Sequence, residues 1–334
     1  MDKIKWGVLG TGRIAETFAA ALRETEGTVL YAAGSRTLRK AQSFAEKNGF
    51  EKAYGSYEEL VSDSAVDTVY IATPMASHFG DAMLCLNAGK NVLCEKSVTL
   101  NSSQLEALIA LAREKGLFFM EAMWTKCRPF YLKAKEWISS GKIGQVRCIK
   151  ADFSNFVPFS PDDRLFRPDC GGGALLDLAV YPLTMAADIL GEPAEIVSAA
   201  DIRGGIDLGE SIILRYPGGV FASADCGFEI PLRNNAVIAG TDALISFGDW
   251  FHCSGKVSLT DRNGNIIEEF SDPENVNGYS YEIAEVQRCL RTGLAESPLV
   301  PLSGTLAVMR IMDECRRQWG LSFPDELDQT KNDG

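Results

Sequence analysis

A glycine-rich turn near the start of the chain constrains the fold more than any other feature. Gly10-Thr11-Gly12-Arg13-Ile14-Ala15 follows directly on an apolar run over 4–9 and opens an amphipathic stretch over 14–22. In a strand–turn–helix unit, Gly10 permits the tight turn. Gly12 leaves no side chain where a pyrophosphate must approach the backbone, and Ala15 lets helix pack on strand. The free N–H groups and partial positive charge of the helix start then suit a diphosphate. Thr11, Arg13 and Ile14 complete the set of turn residues expected along a dinucleotide. The motif G-x-G-x-x-A recurs by chance; its β-α-β setting makes it informative.

That setting continues for about a third of the chain. Short apolar runs over 4–9, 29–34, 68–72, 92–94 and 118–120 alternate with helix-like segments over 14–22, 38–47, 79–87 and 104–115. Strands this apolar, separated by helices, predict a parallel sheet covered on both faces. After Trp124 the pattern changes. A helix over 129–140 leads into alternating segments over 146–156, 195–202, 210–216, 220–228, 235–239, 243–247, 256–260 and 266–270. Short Gly- and Pro-containing links, such as Pro217-Gly218-Gly219 and Asn263-Gly264, predict hairpins. Helices are expected over 174–190, 280–290 and 305–319, and disorder over 329–334. The expected fold is α/β. A Rossmann doubly wound parallel sheet occupies 1–123. A C-terminal α+β domain with an open, mostly antiparallel sheet occupies 124–330, its last helix a candidate to pack back on the first domain. Helices on one face of that sheet would leave the other free for a second subunit, giving a homodimer or homotetramer.

The end of the second strand discriminates between cofactors. NAD sites usually place Asp or Glu there for the ribose hydroxyls, and that carboxylate would repel a 2′-phosphate. Here the strand runs Tyr31-Ala32-Ala33-Gly34-Ser35-Arg36-Thr37, with no acid. Ser35 can donate to a phosphate oxygen, and Arg36 can pair with the phosphate and stack on adenine. NADP(H) is therefore expected over NAD(H). The missing acid also argues against a methyltransferase.

Charge and cysteine usage exclude other classes. Thirty-three Lys and Arg against 45 Asp and Glu give a formal net charge of -12, the wrong sign for tracking nucleic acid or an anionic membrane. Nine scattered cysteines with no C-x-x-C spacing argue against a disulfide framework or zinc ribbon. No metal-ligand spacing is found, nor an apolar run of bilayer length or a signal peptide. The expectation is a cytoplasmic protein with a small-molecule substrate.

Chemistry-bearing residues gather at predicted carboxyl ends of parallel strands, where ligands of doubly wound sheets bind. One strand ends in Ala72-Thr73-Pro74-Met75-Ala76-Ser77-His78 and the next in Cys94-Glu95-Lys96-Ser97. Further on, Gly171-Gly172-Gly173 precedes a helix on which Asp177 and Tyr181 lie four apart and share a face. An acid, a phenol and a lysine are what a hydride-transfer enzyme needs to move a hydroxyl proton.

Four blocks carry a family resemblance: G-T-G-R-I-A at 10–15, E-K-S at 95–97, E-A-M-W-T at 121–125, and R-L-F-R-P-D-C-G-G-G-A-L-L-D-L-A-V-Y-P at 164–182. In order and spacing over nearly the whole chain, the sequence resembles the glucose–fructose oxidoreductase/inositol dehydrogenase/MocA family. The likeness is greatest to the branch of dimeric dihydrodiol dehydrogenase and NADP-linked xylose dehydrogenase. The resemblance implies a C-terminal open sheet used for dimerisation, and Lys96 and Tyr181 as the catalytic pair. Tyr181 would take the proton of the substrate hydroxyl as hydride leaves carbon for the nicotinamide. Lys96 would depress the phenol's pKa, ordinarily about 10, and Asp177 would orient substrate or lysine. Thr73, Pro74, His78, Glu95, Lys96 and Trp124 are expected along the cofactor, with Glu95 holding Lys96 or bonding the nicotinamide ribose. Trp124 and Arg128 resemble cleft-wall residues, and Phe153, Phe156 and Arg164 are candidate substrate contacts. His252, beside Trp250 and Phe251, reads as structural.

Two departures stand out. Ser97 replaces the proline of the usual E-K-P, which stiffens the turn presenting the lysine. The inositol branch carries histidine where this chain has Tyr181, which points away from inositol. The expected activity is NADP(H)-dependent hydride transfer at a secondary alcohol or carbonyl of a sugar, polyol or cyclic trans-diol. The alternatives are a keto-sugar reductase of the anhydrofructose type, and a non-catalytic NADP-binding regulatory protein, which would be expected to have lost Lys96 and Tyr181.

Overall fold

The structure, a computed structural model, describes residues 3–273 and 276–324. The expected disordered tail over 329–334 lies outside the described residues. The chain divides into two compact units: Met1–Cys127 with Asn275–Leu302, and Arg128–Glu274 with Ser303–Gly334.

The first unit is built on β1 (Ile4–Leu9), α1 (Arg13–Glu24), β2 (Thr28–Gly34), α2 (Leu38–Asn48), β3 (Lys52–Tyr54), α3 (Tyr57–Ser62), β4 (Thr68–Ile71), α4 (His78–Asn87), β5 (Asn91–Cys94), α5 (Ser102–Lys115) and β6 (Phe119–Glu121). Its sheet runs β3-β2-β1-β4-β5-β6, and every pairing among the described residues is parallel. This is the doubly wound order in which the carboxyl ends of β1 and β4 flank a topological switch point. Burial follows the apolar runs: Val8, Leu9, Val69, Ile71, Val92 and Leu93 are fully covered. Trp6 sits edge-on to Phe18 at 5.5 Å, and Phe18 stacks on Tyr70 with ring centroids 3.6 Å apart and planes nearly parallel.

β3 and α3 have no counterpart in the sequence reading. They are short, and polar contacts hold them. Asp63 accepts from Tyr54 Oη at 2.6 Å, Lys52 Nζ at 2.7 Å and Tyr31 Oη at 3.2 Å. Lys52 and the two phenols keep its carboxyl well below the usual range. Ser56 caps α3 by accepting from Glu59 N. Residues of Tyr279–Arg291 (here α8) also belong to this unit and pack on α1.

The second unit comprises α6 (Pro129–Ser139), β7 (Val146–Ser154), a π-helical turn (Leu175–Ala179) that runs into α7 (Val180–Leu190), β8 (Glu195–Arg203), β9 (Ile206–Tyr216), β10 (Val220–Gly227), β11 (Ala236–Gly240), β12 (Ala243–Ser246), β13 (Lys256–Asp261), β14 (Ile266–Ser271) and α9 (Leu302–Trp319). The sheet order is β14-β13-β12-β11-β7-β10-β9-β8. β10 and β7 pair in parallel and the others antiparallel, as expected of an open, mostly antiparallel sheet. α6 and α7 pack on it, and Gln318 of α9 bonds Ser198 and Ile196 of β8.

One expectation needs correction. Pro168–Leu190 spans 23 residues, and an 18-residue window within it reaches mean hydropathy 1.4, long and apolar enough to cross a bilayer by length and composition. Its apolarity serves the core of this unit instead, because 78% of the window is buried.

Candidate functional site

Gly10 takes φ +94°, and a Cβ there would lie 2.6 Å from the Ala72 carbonyl oxygen. The turn after β1 therefore accepts glycine alone. Gly12 precedes the first residue of α1 as its N-cap, and a Cβ there would meet nothing within 4 Å. The protein leaves open space where the motif calls for a pyrophosphate. Ala15 is fully buried on the sheet side, while Thr11 and Ile14 are half-buried and Arg13 is exposed. The cradle fits a dinucleotide: free N–H groups at a helix start, no capping side chain over them, and close backbone approach.

Past β2, Ser35 is buried and bonds Tyr54 O through its backbone N–H at 3.2 Å, whereas Arg36, Arg39 and Lys40 are exposed. Arg36 lies within electrostatic reach of Asp81 and Tyr57. Asp81 accepts from Thr73 Oγ1 at 2.6 Å, and burial pushes its carboxyl up, which weakens its claim on the guanidinium. Pro74 is exposed at the end of β4.

The carboxyl end of β5 is held from several sides. Glu95 accepts from Tyr70 Oη with one oxygen and from Lys96 N with the other, at 3.2 Å. The sequence reading offered Glu95 two roles, and these bonds are those of a residue holding the lysine's backbone. The Lys96–Ser97 peptide is cis, with serine where the family carries proline. His78, 1% exposed, sets Nδ1 2.9 Å from Ser97 O and Nε2 2.9 Å from Thr73 O. Its ring ties the ends of β4 and β5 together. Trp124, 8% exposed, stacks on Tyr279 with centroids 4.8 Å apart.

Glu282 of α8 escaped the sequence reading altogether. It is fully buried, with no hydrogen-bond partner for either carboxyl oxygen, and burial, then the Glu95 charge, holds its pKa well above the ordinary range. A carboxyl in that state stays neutral beside Glu95.

In the second unit, Asp177 lies in the π-helical turn and Tyr181 in the first turn of α7. Such turns are frequent at functional sites. Arg164 Nη2 reaches Asp177 Oδ1 at 3.4 Å, so two residues predicted separately come together. Tyr181, 8% exposed, sits edge-on to Phe153 at 5.4 Å and 4.9 Å from the His252 ring. His252 in turn lies 4.4 Å from Phe153 and 6.2 Å from Trp250. His252 and Trp250 were therefore missed as neighbours of the phenol. They lie about 70 residues downstream, and no local pattern links them to it. Phe156, a predicted substrate contact, is 70% exposed, and no ring contact of it with Tyr181 is seen. Arg128 is buried against Asp272 at 2.9 Å and donates to Cys253 O at 2.9 Å. Among the described residues no His, Cys, Asp and Glu cluster could hold a metal ion.

Comparison with known proteins matches this geometry. Residues 4–123 match the oxidoreductase family with an NAD-binding Rossmann fold, and residues 131–246 match the GFO/IDH/MocA C-terminal domain. Trans-1,2-dihydrobenzene-1,2-diol dehydrogenase of Bos taurus is 35% identical and that of Homo sapiens 34%, each alignment covering 97% of this chain and 99% of the relative. The crystal structure of KijD10, a 3-ketoreductase from Actinomadura kijaniata in complex with NADP and TDP-benzene, is 29% identical. It superposes with a TM-score of 0.84 over 95% of this chain and 98% of that one. Levoglucosan dehydrogenase, solved with NADH and L-sorbose, shares the fold at 18% identity and TM-score 0.84, covering 95% and 98%. The chain therefore belongs to the GFO/IDH/MocA family of oxidoreductases, with a nicotinamide-dinucleotide-binding Rossmann domain at its N-terminus.

Proposed function

We propose that the protein is an NADP(H)-dependent oxidoreductase of a secondary alcohol or its carbonyl, on a cyclic trans-diol, sugar or polyol. The observation that carries this reading is Tyr181. It is a phenol set one turn after Asp177 and surrounded by Phe153, His252 and, at one remove, Trp250. When bound, the nicotinamide accepts or supplies the hydride. Tyr181 takes the hydroxyl proton in oxidation and returns it in reduction. Lys96, whose backbone Glu95 fixes, supplies the positive charge that favours the phenolate. Asp177, paired with Arg164, orients the substrate hydroxyls. Exposed aromatic surface at Trp250 suits the face of a ring. The names of the relatives, a dihydrodiol dehydrogenase and a 3-ketoreductase, support this substrate class. The direction of reaction follows the ratio of oxidised to reduced cofactor.

The NADP preference rests on Ser35 and exposed Arg36 with no acid closing β2. Titrating NADPH and NADH by fluorescence, then adding NADP⁺ with a panel of trans-diols, aldoses and polyols, tests both parts. Tight NADPH binding with absorbance growth on one substrate is expected. Arg36→Ala should weaken NADPH by roughly tenfold to a hundredfold, as for loss of a charge-assisted pair, and NADH far less. Equal losses would sink the 2′-phosphate site.

We also place the chain in a homodimer or homotetramer formed through the sheet of the second unit. β8–β10 alternate buried and exposed residues, and Val197, Ile213 and Phe221 are 45%, 43% and 40% exposed. Val197 and Ile213 are cross-strand partners, so they form one apolar strip. Light scattering should give a multiple of the chain mass, and Ile213→Asp should lower it; a monomeric native protein would refute this assembly. Nine free cysteines fit the reducing conditions of the cytoplasm, where we place the protein.

A further inference from the structure

Three consecutive glycines precede the helix of Asp177 and Tyr181, and the proton chemistry uses none of them. The structure gives two of them a reason. A Cβ on Gly172 would lie 2.6 Å from Leu165 O, and Gly173, at φ +121°, would drive one into Asp207 Oδ1. Gly172 lets the chain pass close to the backbone of 164–167, and Gly173 leaves room for Asp207 of β9 to reach the start of the helix. Leu175 N donates to Asp207 Oδ2 at 2.5 Å, and the Ala174 amide also bonds this carboxyl. Those N–H groups have no acceptor within the helix.

Asp207 is 1% exposed and, among the described residues, makes no ion pair with a lysine or arginine. Its neighbour is another carboxyl. Glu210, 4% exposed and three residues further along β9, meets Asp207, and among the described residues neither of its oxygens has an amide or hydroxyl partner. Two carboxyls in contact without a cation cannot both ionise. Burial raises Glu210 furthest, while the helix amides favour charge on Asp207. We assign the proton of the pair to Glu210, whose carboxyl faces Asp207. The other titratable groups facing the pair are Cys226 of β10 and Cys315 of α9, thiols that burial keeps protonated.

We propose that Asp207 and Glu210 are positioning residues for Tyr181, a carboxyl pair on β9 that fixes the first turn of its helix and thereby the phenol. This rests on the reading of Tyr181 as proton acceptor. The neutral Glu210 keeps the Asp207 charge compact and oriented, so that the π-helical turn carrying Asp177 starts at one defined register.

Asp207→Asn keeps an acceptor but loses the charge and its partner's proton site. In this variant kcat should fall about tenfold or more, since small misplacements of a reacting group are costly. KM should change little and the NADPH dissociation constant should match the native value. Glu210→Gln, which still donates, should keep native kcat and a native kcat–pH profile, whereas Glu210→Leu should resemble Asp207→Asn. Hydrogen exchange over 174–181 should accelerate in Asp207→Asn, a readout independent of turnover. Native exchange over 174–181 in Asp207→Asn would overturn the cap. Accelerated exchange with native kcat would overturn the positioning role. If Tyr181→Phe proves fully active, the reading of Tyr181 fails, and the exchange result still decides the cap.

Discussion

Tyr181→Phe is expected to lower kcat by roughly 10²- to 10⁴-fold, the usual range for loss of a positioned proton acceptor, with NADPH affinity unchanged. The substitution removes one oxygen and nothing else. The ring is buried against Phe153 and His252, and phenylalanine fills the same space, so a packing defect is not the expected cause of the loss. Asp177, four residues earlier, is already paired with Arg164, which leaves it poorly placed to take over the proton. Steady-state rates on whichever diol or sugar the native enzyme turns over, with dinucleotide titration of the same preparation, separate the terms. A fall in kcat at constant NADPH affinity supports the assigned role. Native turnover would remove Tyr181 from the chemistry and return weight to a protein that only binds NADP.

How far such assignments were legible depended on the range of the contacts behind them. Gly10, Gly12 and Ala15 were readable because their roles are backbone requirements within one turn. The apolar runs that became β1, β2, β4 and β5 were readable because buried parallel strands need little besides apolar side chains. β3 was not: three residues, one of them Lys52, carry no periodicity, and Asp63 collects them from outside the strand. The C-terminal strands were placed within a few residues by alternation, yet Ile206–Leu208 of β9 fell outside the expected segment, and with them Asp207. Lys96, Asp177 and Tyr181 were singled out by chemistry and family likeness. Their surroundings were not. His252 lies 71 residues from Tyr181, Asp207 lies 32 from Leu175, and Glu282 faces Glu95 from a helix read only as closing the chain. Buried carboxyls are the hardest to foresee, since in sequence they look like any exposed acid.

The same reasoning makes Asp272→Ala the largest stability loss to expect. Arg128 Nε and Nη2 both lie 2.9 Å from Asp272 Oδ2, with side chains only 10% and 5% exposed. Asp272 Oδ1 accepts from Phe130 N at 2.6 Å, Asp272 N donates to Gly255 O at 2.7 Å, and Arg128 Nη1 donates to Cys253 O. The ion pair thus joins the start of α6 to the end of β14, and the bonds to Cys253 O and Gly255 O tie both to the segment between β12 and β13 that bears Trp250 and His252. Burial pushes the Asp272 carboxyl up, and the Arg128 charge pulls it back; truncating the acid leaves the desolvated guanidinium without that partner. Breaking such a pair costs about 3–5 kcal/mol, which for a unit of this size lowers Tm by on the order of 10 °C. Replacing both residues by apolar ones, Arg128→Met with Asp272→Leu, should recover much of the loss, because no unpaired charge remains. Differential scanning calorimetry of the native protein, Asp272→Ala and the double variant measures both the loss and its recovery. A single Asp272→Ala variant that melts within a degree of the native protein would show that the pair merely offsets its own desolvation. In the expected outcome, turnover of Asp272→Ala falls below that of the double variant at equal NADPH affinity. The loop bearing Trp250 and His252 would then depend on Arg128 being neutralised rather than on its being arginine.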